Sequence, residues 1–183
     1  PRYLERLRAR CRGHAHAPVF PEQAVEAVAA LGPDGLYVDC TFGRGGHARR
    51  LLSRLSARGR LVAFDVDEAA VEVARGLAGE DGRLEVLRRP FGELAAAVEG
   101  RRVAGVLLDA GASTPQLDDA SRGFNFRGGK DGPLDLRMDQ GSGLPASAWL
   151  RTVGAAELAW VIHACGHSLD ERLSERVAEG ILE

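Results

Sequence analysis

The sequence predicts an α/β protein built on an open, doubly wound parallel sheet, and three observations carry that prediction. Four short apolar runs alternate with stretches whose apolar residues recur at helical spacing. A glycine-rich turn lies between the first run and the helical stretch that follows it. After Gly111 the regular alternation gives way to a long charged loop and then to helices.

Taken in order, Pro21-Glu22 opens an amphipathic stretch through Leu31, proline and an acid both suiting a helix start, and Gly32-Pro33-Asp34-Gly35 ends it. Leu36 to Phe42 is an apolar run flanked by glycines, as a buried parallel strand would be. The turn Gly43 to Gly46 follows, and Ala48, Leu51, Leu52 and Leu55 then mark a helix. Arg60 to Asp65 reads as the second strand, and Ala70, Val73, Ala74 and Leu77 as one face of the second crossover helix. Leu84 to Leu87 gives a third strand, Glu93 to Val98 a short helix, and Val103 to Leu108 a fourth strand ending at Asp109. Residues 112–143 interleave phenylalanines and leucines with charges, the mark of a functional loop rather than a linker. Beyond Pro145 the pattern is helical, with Trp149, Leu158, Trp160, Val161 and Ile162 as apolar contacts. Ser168 and Glu171 form a capping-box pattern ahead of Leu169, Leu173, Val177 and Ile181, which share a face.

The 183 residues, 45% hydrophobic, suffice for one globular domain with room for a small subdomain. A net charge of −2 excludes a uniformly basic nucleic-acid binder but not local arginine clusters. Cys11, Cys40 and Cys165 lie far apart, so neither a disulfide framework nor a thiolate metal site is expected. His14 with His16, and His163 with His167, lack the acids or cysteines that would complete a metal site, and no metal is predicted. With no apolar run long enough to span a membrane and no secretory signal core, the expectation is a soluble intracellular protein. The arginine-rich start, Pro1 to Arg12, reads either as a solvated basic helix or as the remnant of an organellar transit peptide.

Gly43-Arg44-Gly45-Gly46-His47-Ala48 satisfies the dinucleotide pattern GxGxxA, and Asp65 stands 20 residues beyond Gly45, where a ribose-binding acid is expected. Asp39 discriminates. An acid four residues before Gly43 repels a pyrophosphate and favours the ammonium and sulfonium of S-adenosylmethionine. Asp109-Ala110-Gly111-Ala112-Ser113 places a second acid where the sheet's carboxyl edge opens onto the cofactor. Asp109 is therefore a candidate catalytic residue. It either accepts the N–H bonds of an amino group whose lone pair is delocalised into a base, or simply bonds the cofactor or caps the next turn. In the loop, Phe124 or Phe126 would stack an extruded RNA base while Arg122, Arg127 and Arg137 hold phosphates, although such phenylalanines also serve as core.

Several blocks together resemble the MraW-type ribosomal RNA cytosine-N4 methyltransferases: His14 to Glu22, Tyr37 to His47, Asp109 to Asp118, Arg122-Gly123-Phe124 and Asp131 to Asp135. The resemblance runs from about His14 to the end. It implies the first four strands of a class I S-adenosylmethionine methyltransferase, a Rossmann-like parallel sheet, followed by the start of an inserted helical domain, with the later strands of the sheet missing from this sequence. It implies three segments: a basic N-terminal stretch at 1–13, a cofactor-binding core at 14–111, and a substrate loop with a partial helical insertion at 112–183. The implied activity is N4-methylation of a cytidine in the decoding region of small-subunit ribosomal RNA, free or in the small ribosomal subunit. The implied compartment is the bacterial cytoplasm, or the mitochondrial or plastid matrix. Carried over by position, the cofactor contacts are Gly45, Gly46, His47, Asp65, Phe91, Asp109 and Gln116, with Phe91 near the adenine. Departures include Ala110 for leucine, Thr114 for serine, Asn125 for serine and Leu136 for methionine, and an acidic stretch Glu171 to Glu183 where a basic helix is expected. A catalytically silent fragment that still binds cofactor or RNA, and a nicotinamide-dependent oxidoreductase, are the alternatives.

Overall fold

The computed structural model describes residues 18–125, 131–166 and 170–183. Contacts divide the chain into two units, residues up to Gln116 and residues from Leu117.

The first unit is a Rossmann-like parallel sheet with helices on both faces. Its elements are α1 (Pro21–Val28), β1 (Leu36–Asp39), α2 (Gly46–Arg54), β2 (Arg60–Asp65), α3 (Glu68–Glu80), β3 (Leu84–Arg88), α4 (Leu94–Ala97) and β4 (Val103–Leu107). The strands lie in the order β3-β2-β1-β4, and every pairing is parallel. Side chains alternate across the sheet. Tyr37, Leu61 and Ala63 bury against α1, α2 and α3 on one face. On the other, Val38, Cys40, Val62 and Phe64 meet Leu94, Ala97 and Val98 at α4.

The chain reverses its direction of winding between β1 and β4, because α2 and α3 cross one face and α4 crosses the other. In open α/β sheets, ligands bind outside the carboxyl ends of the strands at such a reversal, here between β1 and β4. Sequence and structure differ mainly at element ends. The first helix closes with a 3-10 turn at Ala29–Leu31, and β1 stops at Asp39. From there Phe42 donates its N–H to the Phe64 carbonyl as the backbone bends into the turn. Asp67 caps α3, accepting from the Ala69 N–H. Among the described strands β4 is an edge, with Val106 exposed.

The division of the chain falls inside a short helix, α5 (Thr114–Asp118). The second unit holds a 3-10 turn at Ala120–Arg122, then α6 (Ala146–Trp149), α7 (Ala155–Cys165) and α8 (Glu171–Leu182). Two expectations fail here. The residue capping α8 is Asp170, whose carboxylate accepts from the Leu173 N–H, while Ser168 and Leu169 lie outside the described residues. Helix α8 buries its small residues Ser174 and Ala178, with Leu158 and Ala159 of α7 in the same core. Leu173, Val177 and Ile181 share a face, as their spacing predicts, and stand exposed, and Trp160, expected among the apolar contacts, is 67% exposed. The helical spacing marks an apolar stripe correctly, but the small residues beside it make the packed face.

Candidate functional site

Four acids gather where β1, β2 and β4 end. Asp39 closes β1 and is 1% exposed, Asp65 closes β2, Asp67 is buried two residues on, and Asp109 follows β4 with its side chain 42% exposed. Each arrives there because its strand ends at the same edge of a parallel sheet. Their electrostatic consequence is read at Asp39. Burial pushes its carboxyl up to about 6, with Asp65 and Asp109 adding to the rise, while the Thr41 N–H and the His47 ring oppose it. Asp39 Oδ1 accepts from the Thr41 N–H at 3.1 Å. Its Oδ2 is buried with no hydrogen-bond partner. A buried carboxylate oxygen left in that state is costly and is the sort of group a bound ligand satisfies.

The glycine turn is shaped by close approach. Gly45 has φ +76°, and a Cβ there would meet the Phe42 ring at 2.7 Å. A Cβ on Gly46 would meet the Pro18 ring at 2.8 Å. The turn is tied to β2 by the Gly43 N–H, which donates to Asp65 Oδ2 at 2.8 Å, while the Asp67 N–H donates to Oδ1 at 3.0 Å. Arg44 reaches the Ala69 carbonyl at 3.2 Å. Gly46 and His47 then open α2, where their N–H groups have no carbonyl one turn back within the helix.

Of the residues singled out in the sequence, Gly45, Gly46, His47, Asp65, Asp109 and Gln116 all belong to the first unit's carboxyl edge or to loops bonded to it. The His47 side chain is buried and turned to protein partners, the Val19 carbonyl at 3.0 Å and the Asp109 carboxylate at 3.8 Å. Gln116 is also buried and committed. Its amide donates to Asp67 at 2.5 Å, and its carbonyl accepts from the Ser113 N–H at 2.7 Å. Phe91 begins the 3-10 turn after β3 and is 48% exposed.

The loop arginines take structural positions in the second unit. Arg122 is 7% exposed and donates to the carbonyls of Arg137 and Met138 at 3.1 and 2.9 Å. Arg137 grips Asp135 through two bonds of 2.9 and 2.7 Å, holding that carboxyl down to about 2. These guanidinium bonds brace the loop, where phosphate contacts were expected. Phe124 is half-buried, and Phe126 and Arg127 lie outside the described residues, as do His14, His16 and His167. Among the described residues no His, Cys, Asp and Glu cluster is arranged to hold a metal, and no helix is long and apolar enough to cross a membrane.

Three participants went unmarked in the sequence. Thr41 Oγ1 accepts the Asp109 N–H at 2.9 Å, across 68 residues of chain. Val19 acts through its main-chain carbonyl, which no side-chain pattern can flag. Asp67 was legible only as a helix cap, since Asp-Glu opens the helical stretch after β2.

A parallel sheet with its winding reversal between β1 and β4, a glycine turn at the reversal and an acid-rich edge around it define the class: a Rossmann-like α/β protein with an anionic carboxyl-edge site. The chain belongs to the MraW methylase family, whose model matches residues 13–183. It is 47% identical over 170 residues to the ribosomal RNA small subunit methyltransferase H of Chromobacterium violaceum, covering 91% of this chain and 51% of that protein. To the protein of the same name from Thiobacillus denitrificans it is 47% identical over 171 residues, covering 92% and 52%. The chain thus spans about half the length of the curated relatives it matches. Among solved structures, an rRNA methylase from Streptococcus thermophilus is similar over 43% of this chain and 45% of its own, at 23% identity and a TM-score of 0.34.

Proposed function

We propose that this chain carries the S-adenosylmethionine site of an RNA methyltransferase that modifies N4 of a cytidine in small-subunit ribosomal RNA. Asp39 carries the cofactor half of that reading. An unpartnered, buried carboxylate oxygen among Asp65, Asp67 and Asp109 repels the pyrophosphate of a nicotinamide dinucleotide and suits an ammonium. The N–H groups of Gly46 and His47, at the positive end of α2, suit a carboxylate. The two donor sets together fit a zwitterionic amino-acid group beside a sulfonium. S-adenosylmethionine supplies a methyl group on sulfur that already leaves readily, so the chain's own task is alignment and electrostatics.

On this reading Asp65 accepts from the ribose hydroxyls with the lone pairs left by Gly43 and Asp67. Phe91 lies beside the adenine. Asp109, exposed at the carboxyl edge, either holds the cofactor or accepts the N–H bonds of the cytosine amino group and so localises its lone pair. The RNA half rests on the family and on the names of its relatives. The compartment is then the one that holds small ribosomal subunits.

Calorimetry with S-adenosylmethionine and NADH tests the site, with micromolar binding of the first alone as the expected result. Preferential binding of NADH overturns it. Incubation with methyl-labelled cofactor and small ribosomal subunits is expected to label a cytidine amino group, and label found only on carbon overturns the N4 assignment. Binding without transfer assigns these 183 residues the cofactor-holding role only.

A further inference from the structure

The His47 side chain does not face the position that its place in the glycine turn suggests. Its ring is 7% exposed and spans two segments from either side of α2. Nε2 lies 3.0 Å from the Val19 carbonyl oxygen, which only accepts, so Nε2 carries a hydrogen. That leaves Nδ1 facing the Asp109 carboxylate at 3.8 Å, an ion-pair contact that holds only while both ring nitrogens carry hydrogen. Asp109 needs such a partner. Its main chain is pinned by the Thr41 hydroxyl, but its half-exposed carboxylate is otherwise at liberty to sample rotamers.

The segment that supplies Val19 touches the glycine turn. The Pro18 ring packs where Gly46 has no side chain, and Phe20 adopts a left-handed conformation, φ +45°, before α1 begins. We infer that His47 is a positioning residue: its imidazole, clamped between the Val19 carbonyl and Asp109, aims the Asp109 carboxylate across the carboxyl edge, while its main-chain N–H serves the cofactor. This rests on the proposed cofactor site, and it separates two roles within one residue.

The two ring nitrogens can be replaced singly. Asparagine places an amide nitrogen near the position of Nδ1, and glutamine near that of Nε2. His47→Asn therefore keeps the Asp109 end of the clamp, and His47→Gln keeps the Val19 end. We expect Asp109→Asn to weaken S-adenosylmethionine binding by calorimetry about tenfold and His47→Gln about fivefold, with His47→Asn, which loses only the Val19 anchor, weakened less than His47→Gln. In the Asp109→Asn background, His47→Gln should change affinity by less than about twofold, because its effect runs through Asp109. Equal losses from His47→Gln in both backgrounds, or a His47→Asn as impaired as His47→Gln, overturn the proposal. If the folded wild-type chain binds no S-adenosylmethionine, the cofactor reading fails, and the same cycle on melting temperatures of the ligand-free chain decides the clamp. Non-additive shifts support it and additive shifts overturn it.

Discussion

Asp39→Asn separates what the fold tolerates from what the site uses. The Asp39 carboxyl is raised from an ordinary 3.8 to about 6, chiefly by burial. At 1.36 kcal/mol per unit, the folded state therefore carries a penalty of about 3 kcal/mol once the group is ionised in both states. Because the folded state binds the proton more tightly than the unfolded chain, stability is greatest below about pH 4 and declines as pH rises through 6. About half of that decline, roughly 1.5 kcal/mol, falls between pH 5 and pH 8. Asparagine does not titrate and is spared it. Its amide nitrogen inherits the unpartnered place of Oδ2, which costs about 1–2 kcal/mol at every pH and leaves the slope untouched. The stability of Asp39→Asn relative to the wild type should therefore climb by about 1.5 kcal/mol from pH 5 to pH 8. In a unit of about 100 residues that widens the melting-temperature gap by roughly 6–12 °C, measurable by circular dichroism. At pH 8 the same substitution should weaken S-adenosylmethionine binding by about tenfold or more, the value of a charge-assisted bond. A gap that stays constant or narrows with pH refutes the reasoning, since it would mean Asp39 is not the group whose ionisation burdens the fold.

Gly45→Ala drives a Cβ into the Phe42 ring at a φ of +76°, and urea unfolding should register a loss of about 2 kcal/mol or more. Gln116→Ala strands the Ser113 N–H and one bond to Asp67, so about 1–3 kcal/mol should be lost and hydrogen exchange at Ser113 should accelerate. Arg122→Ala removes a buried guanidinium from two carbonyls. Limited proteolysis should then cut faster between Leu134 and Met138, whereas a purely phosphate-binding arginine would leave the cutting rate unchanged.

The sheet was legible because its signals are local and repeat. Glycine-bounded apolar runs and helical spacing recover the strands of the first unit to within about a residue, except at β1. There the apolar run Cys40-Thr41-Phe42 continues past the last strand residue, because Phe42 bonds back to Phe64 as the chain turns. The sequence pattern predicts a doubly wound sheet but no strand order, and the order β3-β2-β1-β4 comes from α2 and α3 crossing one face while α4 crosses the other. The second unit was less legible. Periodicity identifies the stripe Leu173, Val177 and Ile181 but not which face packs, and α8 buries Ser174 and Ala178 instead.

At the site, sequence reasoning locates acids and glycines but not the direction of a side chain. His47 and Gln116 stand at the carboxyl edge, and the ring of one and the amide of the other bond to Val19, Asp109, Asp67 and Ser113. Arg122 and Arg137 show the same limit with opposite expectation, since composition suggests phosphate contacts and the guanidiniums turn inward to carbonyls and Asp135. What decides the direction is satisfaction of main-chain groups, which accumulate wherever loops replace strands and which composition does not count. Asp39 is the exception that makes the site readable. The network satisfies the oxygens of Asp65 and the cap of α3, but it leaves Asp39 Oδ2 with nothing. On the proposed reading, a buried carboxylate oxygen left without a partner beside a turn too tight for a side chain is where a cation from outside the chain would bind.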